Sequence, residues 1–578
     1  MDRSVALGYV VRVSGAEIVL NLATDVQSRV YGHAGGLSRL GKPGDLLGVS
    51  SSGSVIVLEI ASTTFVDPGA VERTHREASD ESPLQQFSCR AVGLIRVRAG
   101  ALEFAPGIEE LPFLGAEAIP LGDEELNCVL KVSNKSGALL RLGRDSNDPL
   151  RTVDVDVDAL LERHAVIVGS TGQGKTHLAV NIVKQLANLP GARIVIFDVN
   201  GEYGAAFAGT NVKTTKIGAS NGGVKIPYPA LGQRGLFRLL MPSERAQAPV
   251  LRFAIEALPY IISNGNGAHV VGQTADVLFD DCRQGPADDA RQTIEDLRNN
   301  ACNPVTTWPH FNAIGCLVAD AYAIEPAGRA PYAFQRSSYQ YSHVSGLIQR
   351  VKTASADLRF RDVISVMPKG AAGTPISLEA SASRLLDAVF GPGKAAASWR
   401  IHIVDLSAVA PDLLHFVVDA LLEQLAEESF RRGPGESYPI VLLLEEAHHY
   451  IRSQSSSDVF ADMPIAHERL AKEGRKFGVS LILCTQRPSE LSSTVLAQCG
   501  STFAFRLVNH DDRRIVESNA GPDVSSFADL SALPRGQMIA VGAALNFPLR
   551  VTCQRAEPPP KAHEGGFVKR WSESEVTV

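Results

Sequence analysis

The residues Gly169 to Thr176, GSTGQGKT, have the types and the spacing that bind nucleotide phosphates. They fit the pattern G-x-x-x-x-G-K-[ST], with an apolar, strand-like run before them and a helix-like run, HLAVNIVKQLAN, after them. Glycines let backbone N–H groups turn inward around phosphate oxygens, and the helix N-terminus adds partial positive charge. A chance match in a glycine-rich chain is the alternative, and the strand–loop–helix context argues against it. We therefore predict a phosphate-binding loop.

This loop implies ATP and Mg²⁺ as cofactors and gives individual side chains a role. Lys175 is expected to reach the β- and γ-phosphates, and Thr176 to place its hydroxyl on Mg²⁺. The predicted nucleotide-binding residues are Gly169, Ser170, Thr171, Gly172, Gln173, Gly174, Lys175, Thr176 and His177.

Two adjacent carboxylates follow a second apolar run, in PIVLLLEEAHHY. Glu445 ends the run and is expected to hold Mg²⁺, and Glu446 is the better candidate for polarising the attacking water. Which glutamate does which job stays open, and the alternative is a solvated helix start with favourable negative charge. A metal site at His448 and His449 is rejected, because adjacent helical positions point in different directions.

A polar turn, Thr485-Gln486-Arg487-Pro488, follows the next apolar run. Gln486 is expected to sense the γ-phosphate or the attacking water, the alternative being a polar turn ended by proline.

The elements that must position these residues are apolar runs rich in β-branched side chains, most of them separated by helix-like segments. Strands are predicted in residues 164–169, 193–199, 401–406, 439–446, 479–485 and 502–508. Nearly continuous apolar runs are typical of parallel strands covered on both faces. The predicted fold class is α/β, with a RecA-like P-loop ATPase core, a mostly parallel sheet, an N-terminal small β-barrel and a helical insertion.

The expected domains are a β-barrel in residues 1–128, an ATPase core in 129–242 and 373–550, a helical insertion in 243–372, and a tail in 551–578. Short strands with Gly, Ser and Pro turns indicate the barrel, which a polar loop from Asp67 to Pro83 interrupts. In the insertion, Ser243 is a capping candidate. A helical stripe is predicted from Val344, Leu347, Ile348, Val351 and Leu358.

Composition restricts the class of protein. A formal charge of −7 and a pI of about 6.1 argue against coating nucleic acid over the whole surface, although a local basic channel remains compatible. The eight cysteines include no C-x-x-C pair, so we expect reduced thiols and a cytoplasmic protein. No apolar run approaches the roughly 20 residues that span a bilayer, so no membrane association is expected.

Five segments, in order, resemble those of the HerA-like hexameric DNA translocases, relatives of the FtsK motors. They are GSTGQGKT, FDVNGEYG (197–204), LLLEEAHHY (442–450), AKEGRKFGVSLILCTQRPSEL (471–491) and FAFRLVNHDDRR (503–514). Asp198, Asn200, Gly201 and Glu202 match the family motif after the second strand, and the N-terminal barrel resembles the family's HAS barrel. Gln173 stands where serine is common, and Glu445 where aspartate is common.

The resemblance implies a homohexameric ring that hydrolyses ATP at subunit interfaces and moves duplex DNA through its central channel. It also implies a partner nuclease or another effector, such as a NAD-consuming enzyme, docked at the barrel. The setting is DNA end processing or antiviral defence. A ring ATPase needs a cation from the neighbouring subunit, and Arg475 is the first candidate and Arg506 the second.

Three alternatives remain. The first alternative is an ATP-regulated ring scaffold that activates an effector without moving DNA. Conjugation coupling ATPases share the motor core but carry an N-terminal membrane anchor, which this sequence does not show. Lys213, Lys216 and Lys225 form either a DNA-contacting pore loop or a solvated hairpin.

Overall fold

The computed structural model describes residues 6–22, 30–33, 36–39, 41–51, 53–66, 84–98, 100–132, 137–207, 209, 211–258, 299, 310–327, 333–366, 385–453, 465–520 and 530–561. The chain divides into two compact units. The first comprises Met1–Leu186, Ile482–Ser489 and Leu496–Pro559, and the second comprises Ala187–Leu481, Glu490–Val495 and Pro560–Val578.

The N-terminal part of the first unit is a closed β-barrel. Its strands and their neighbours are β1 (Gly8–Ser14), β2 (Glu17–Leu22), β3 (Val30–His33), β4 (Gly36–Arg39), β5 (Leu46–Ser51), β6 (Ser54–Val66), β7 (Leu84–Arg98), β8 (Ala101–Pro106) and β9 (Glu117–Pro120). The order β2-β1-β9-β5-β6-β7 closes because β2 also pairs with β7, and β8 pairs with the C-terminal part of β7. The predicted barrel is confirmed.

The alternation of apolar and polar side chains along the strands explains how the barrel fills its core. Ile18, Leu20, Leu47, Val49, Ile56, Leu58, Ile60, Phe87 and Cys89 pack together in its core. Successive side chains of a strand point to opposite faces, so every second apolar residue reaches the interior. The polar loop predicted at Asp67–Pro83 lies outside the described residues.

The remaining strands follow the barrel along the chain, and all but β15, β16, β17 and β18 belong to the core sheets. They are β10 (Leu139–Asp145), β11 (Thr152–Asp156), β12 (Ala165–Val168), β13 (Ile194–Asp198), β14 (Val212–Lys216), β15 (Ile226–Pro227), β16 (Ile324–Ala327), β17 (Ala333–Arg336), β18 (Ile364–Ser365), β19 (Ile401–Asp405), β20 (Ile440–Leu444), β21 (Val479–Thr485), β22 (Ser501–Phe505), β23 (Gln537–Gly542) and β24 (Leu549–Cys553). Each of the six apolar runs that predicted a strand forms one.

The described helices are α1 (Asp123–Leu130), α2 (Val157–Leu161), α3 (Lys175–Ala187), α4 (Gly232–Leu240), α5 (Gln247–Ala257), α6 (Ala313–Ala323), α7 (Ser338–Ala356), α8 (Leu358–Val363), α9 (Pro411–Arg432), α10 (Ala466–Glu473), α11 (Ser493–Leu496) and α12 (His510–Ala520). In the second unit, α9 buries Leu414, Val417, Val418 and Leu421 along one face.

In the first unit the core strands follow the order β11-β10-β24-β23-β22-β12, and the part of β21 from Ile482 onward is next to β12. Strand β12 is parallel to β21 and β22, whereas the pairs β22–β23, β23–β24, β10–β24 and β10–β11 are antiparallel. In the second unit, β20, β13, β19 and β14 are neighbours in that order and all parallel. The α/β fold with a P-loop ATPase core is confirmed. The antiparallel strands make the sheet of the first unit mixed.

Two local expectations for the helical segment were wrong. Helix α5 begins at Gln247, and Ser243 precedes it as a turn residue whose carbonyl accepts the N–H groups of Gln247 and Ala248. Leu358 does not continue the buried stripe of α7, because Asp357 ends that helix and starts α8, where Leu358 is 77% exposed.

Within the part of the chain that the structure describes, no helix combines the length and apolar character needed to cross a membrane. Cys89, Cys128, Cys316, Cys484, Cys499 and Cys553 are free thiols. Cys282 and Cys302 lie outside the described residues.

Candidate functional site

The phosphate-binding loop lies in the first unit, between the end of β12 and the start of α3. Its backbone is tied to the two strands that flank β12. The Gly169 N–H donates to the Thr485 carbonyl (3.3 Å), and the Ser170 N–H donates to the Arg506 carbonyl (2.9 Å). The loop is therefore held at the carboxyl ends of three parallel strands, where ligands bind in open α/β sheets.

Two glycines of the loop pack against Phe505, which is fully buried at the end of β22 and leaves no room for a side chain. A Cβ on Gly169 would lie 2.6 Å from the Phe505 Cβ, and one on Gly174 would lie 3.0 Å from the Phe505 ring. Both residues also have positive φ, 154° and 125°, where a side chain strains the backbone. The close approach of the loop to this ring therefore requires glycine. Gly172 also has positive φ, 72°, but no atom lies near its Cβ position.

Lys175 begins α3 and is buried, with 6% of its surface exposed. Its Nζ atom donates to the Ser170 carbonyl (3.2 Å), which holds the ammonium group across the loop. Thr176 follows in the first helical turn, where the free N–H groups and the helix dipole favour anions. These residues suit the phosphates of ATP, and the Thr176 hydroxyl is an oxygen ligand of the kind that Mg²⁺ prefers.

Gln486 lies at the phosphate loop. Its Oε1 atom accepts the hydroxyl hydrogen of Thr171 at 2.6 Å. The turn that carries it is anchored on both sides: the Arg487 N–H donates to the Thr485 hydroxyl, and Ser489 donates through its N–H and hydroxyl to Asp512. The structure thus brings the sensor candidate to the loop, and its sensing role stays a prediction.

Gln173 and His177 contact segments that the sequence analysis did not connect with the loop. The Gln173 carbonyl accepts the Gly536 N–H (2.9 Å), and the Nδ1 atom of His177 accepts the Ala556 N–H (3.1 Å).

The acidic residues lie in the second unit, where Asp198 ends β13. Its Oδ1 atom accepts the N–H groups of Gly201 (2.8 Å) and Glu202 (3.1 Å), and its Oδ2 atom accepts that of Tyr203 (3.0 Å). Burial raises the pKa of Asp198, the three N–H groups lower it, and nearby Asp405 raises it. The motif FDVNGEYG is thus a loop folded around one buried carboxylate.

This loop positions Tyr203 against Glu445. The Tyr203 hydroxyl donates to the Glu445 Oε2 atom at 2.6 Å, and both residues are buried. The Tyr450 hydroxyl donates to the Glu445 backbone carbonyl at 2.7 Å. A carboxylate oriented by such a partner is typical of a metal ligand.

Glu446 has different surroundings. Its backbone is left-handed, with φ and ψ both 46°, which is uncommon for a residue other than glycine. One carboxylate oxygen lies 3.3 Å from the Nδ1 atom of buried His448, and 12% of the side chain is exposed. These contacts favour Glu445 as the metal ligand and Glu446 as the residue that polarises water, and the two roles remain predictions.

The two arginine candidates lie in different units. Arg475 is exposed in the 3₁₀ turn Gly474–Phe477 of the second unit. Arg506 is exposed in the first unit, directly after β22, and its carbonyl bonds to the phosphate loop of its own chain. Arg506 therefore lies beside the loop in cis, and Arg475 remains the first candidate to act on a neighbouring subunit.

Sequence reasoning missed Tyr203, Tyr450 and the pairing of His448 with Glu446. Tyr203 stands inside the FDVNGEYG motif, so the motif contained a signal, but its contact with Glu445 joins residues 242 positions apart. The sequence of His448 and His449 raises only a metal-ligand role, which their adjacent positions exclude. No local pattern predicts that its ring faces Glu446.

The lysines proposed for a pore loop have structural partners. Lys213 and Lys216 lie in β14, and the Lys213 Nζ atom donates to the Ala388 carbonyl (2.6 Å). The Lys225 ammonium bonds to the Arg361 carbonyl. These contacts favour a structural role for Lys213 and Lys225.

A parallel strand, a glycine loop held at its carboxyl end, and a helix that begins at Lys175 define a P-loop ATPase. Comparisons with known proteins show which ATPases the chain is similar to. A family model described as "Helicase HerA, central domain" matches residues 140–300.

The chain is 21% identical over 469 residues to the DNA double-strand break repair helicase HerA of Sulfolobus acidocaldarius, with 80% of this chain and 77% of that protein covered. It is 22% identical over 434 residues to the protein of the same name from Pyrococcus furiosus, with 69% and 66% covered. Over 115 residues it is 34% identical to the probable DNA double-strand break repair helicase HerA of Methanocaldococcus jannaschii, with 19% and 21% covered. The predicted resemblance to the HerA helicases is confirmed, and the chain is a P-loop ATPase.

Among solved structures, VirB4 of Thermoanaerobacter pseudethanolicus has a TM-score of 0.44 at 15% identity, with 73% of this chain and 97% of that chain covered. The conjugative coupling protein TrwB has a TM-score of 0.41 at 14% identity, with 71% and 89% covered.

Proposed function

We propose that the chain is an ATP-dependent translocase of duplex DNA that works as a homohexameric ring in the cytoplasm. The observation that carries the proposal is the phosphate loop whose Thr171 hydroxyl is bonded to Gln486. This contact joins the nucleotide loop to a residue suited to report the state of the γ-phosphate. The relatives named as DNA repair helicases support DNA as the substrate.

The chemistry follows from the side chains. Lys175 neutralises charge on the β- and γ-phosphates, and Glu446 accepts a proton from the attacking water. Thr176 of the first unit and Glu445 of the second are each a predicted ligand of Mg²⁺, which would supply charge neutralisation when bound. Arg475 is proposed to approach the γ-phosphate of a neighbouring subunit, with Arg506 as the second candidate.

The biological setting is DNA end processing or antiviral defence, with a partner nuclease or a NAD-consuming effector docked at the N-terminal barrel. Sequence-independent movement needs contacts to DNA phosphates, because these are the same at every base pair.

The test is the ATPase rate of the purified chain with and without linear duplex DNA, at several salt concentrations. We expect DNA to stimulate hydrolysis, and the stimulation to fall steeply between about 50 and 200 mM salt as counterions compete for the phosphates. Glu446→Gln, assayed in parallel, is the control for contaminating ATPase.

Hydrolysis that is independent of DNA, together with DNA binding that salt does not weaken, would favour the alternative of an ATP-regulated scaffold for an effector enzyme.

A further inference from the structure

Two segments of the first unit contact the phosphate loop and α3. The first is a tight turn at residues 534–537, closed by the bond from the Gln537 N–H to the Pro534 carbonyl (3.1 Å). Gly536 of this turn donates to the Gln173 carbonyl (2.9 Å) and accepts the Cys553 N–H (2.8 Å). The turn therefore holds Arg535 next to the phosphate loop.

The second segment, residues 554–557, crosses α3 directly after β24. The Asn181 side chain donates to the Gln554 carbonyl (2.7 Å), and the Lys184 Nζ atom donates to the Glu557 carbonyl (2.5 Å). Between these two anchors, the Ala556 N–H donates to His177 (3.1 Å). Arg555 is thus held beside α3 close to Asn181 and Lys184, one residue from the contact with His177, and its side chain is exposed.

The charges of both arginines act on His177. Burial lowers the pKa of this histidine, and the guanidinium charges of Arg555 and Arg535 lower it further. Because Nδ1 accepts the Ala556 N–H, the ring proton is on Nε2. The backbone contacts of the two segments place both arginines near the beginning of a helix whose free N–H groups already favour anions.

A P-loop binds the phosphates of a nucleotide in a fixed order along the chain. Its lysine reaches the β- and γ-phosphates, and the backbone of the loop and the first helical residues cradles the α- and β-phosphates. His177, two residues after Lys175, therefore lies at the α-phosphate end. An anion at this position would be attracted by a positively charged guanidinium group.

We propose that Arg535 and Arg555 bind the α-phosphate of ATP in the same chain, and that the turn at 534–537 and the segment at 554–557 form this wall of the nucleotide site. The proposal depends on the ATPase activity and not on DNA translocation. In this proposal, the segment at 554–557 that follows β24 contributes directly to the affinity for ATP.

The test uses Arg535→Ala, Arg555→Ala and the control Arg144→Ala in the full chain. Arg144 is an exposed arginine of the same unit whose guanidinium donates to the Pro149 carbonyl. Loss of one charged hydrogen bond corresponds to about a tenfold rise in KM for ATP. We expect this rise in both variants, with kcat within about threefold of wild type and no change in the control. Arg535→Lys and Arg555→Lys should recover part of the affinity.

A second measurement separates binding from a structural role. Adenosine 5′-(α-thiotriphosphate) replaces one α-phosphate oxygen by sulfur, a weaker acceptor. We expect the wild type to bind it less tightly than ATP, and the two alanine variants to lose that preference. An unchanged KM in both variants would overturn the proposal. A raised KM with the sulfur preference intact would also overturn it, because the arginines would then act only on the fold of the segment.

Discussion

At the residue scale, two adjacent glutamates are held by different partners. Glu445 accepts the Tyr203 hydroxyl and is buried, whereas Glu446 lies in a left-handed conformation beside His448. A buried, hydrogen-bonded carboxylate is suited to hold a cation, and a partly accessible one is suited to take a proton from water. The contacts around β13 and β20 therefore favour different roles for Glu445 and Glu446, which two identical residue types cannot indicate by themselves.

The first prediction concerns Glu446. Glu446→Gln should retain ATP binding but lower kcat by about 10²–10⁴-fold, since a general base contributes that much. Lys175→Ala is the companion variant, and it should lose ATP binding itself because the β- and γ-phosphates lose their cation. Steady-state ATPase assays and binding of a fluorescent ATP analogue separate the two effects. Normal turnover by Glu446→Gln would show that another residue activates the water.

The second prediction concerns Tyr203. Tyr203→Phe leaves the buried Glu445 carboxylate without this donor, so the free energy of unfolding should fall by about 1–3 kcal/mol. The Mg²⁺ concentration for half-maximal ATPase should rise by about tenfold or more, as for other residues that orient metal ligands.

Tyr450→Phe is the matched control, because its hydroxyl donates to the Glu445 carbonyl and not to the carboxylate. It should lower stability to a similar extent without moving the Mg²⁺ dependence. Equal Mg²⁺ curves for wild type and both variants would contradict a role for Tyr203 in positioning Glu445.

At the scale of elements, the phosphate loop depends on the strand beside it. Phe505 at the end of β22 packs against Gly169. The carbonyls of Thr485 and Arg506 accept the N–H groups of the first two loop residues. Parallel strands bring these groups together because their carboxyl ends meet at one edge of a sheet.

The third prediction follows from this packing. Gly169→Ala should abolish measurable ATP binding, since its Cβ would meet Phe505 at 2.6 Å and its φ of 154° disfavours a side chain. Gly172→Ala meets no atom within 4 Å at its Cβ, so the remaining cost is about 1 kcal/mol for the left-handed backbone. Binding of a fluorescent ATP analogue should rank wild type, Gly172→Ala and Gly169→Ala in that order. The reverse order of the two variants would exclude the steric explanation.

The fourth prediction concerns β19 and pH. His402 is fully buried, its Nδ1–H donates to the Val389 carbonyl (2.7 Å), and its Nε2 atom accepts the Thr215 hydroxyl (2.8 Å). Burial, with a contribution from Lys213, lowers the pKa of His402 to about 4. The unfolded chain, with a His pKa of about 6.5, therefore binds more protons below neutral pH, and stability falls as the pH drops from there toward 4.

Between about pH 7.5 and about pH 5, this one histidine should account for a loss of about 2 kcal/mol in the free energy of unfolding. Urea unfolding of wild type and His402→Gln at both pH values measures its share, because glutamine forms hydrogen bonds but does not titrate. An identical pH dependence in both proteins would assign the acid sensitivity to other groups.

At the scale of the whole molecule, the proposal is a closed ring. Six chains of 61.7 kDa give a particle of about 370 kDa, and closed cyclic symmetry suits identical subunits that each supply an arginine to the next. The fifth prediction is therefore a mass near that value by light scattering with ATP and Mg²⁺ present. Arg475→Ala should keep the ring mass and ATP binding while losing most turnover. A particle at the monomer mass under these conditions would contradict hydrolysis between subunits.

The sequence by itself determined the phosphate loop, the six core strands that the apolar runs predict, and the barrel, because each depends on neighbouring residues and their periodicity. Only the tertiary structure decided which distant side chains meet. Thr171 and Gln486 are 315 residues apart, and the antiparallel strands β10, β11, β23 and β24 come from opposite ends of the core. Strand order brings such partners together. A side chain carries no local signal of a partner that lies hundreds of residues away, which is why Tyr203, Arg535 and Arg555 were found only in the folded chain.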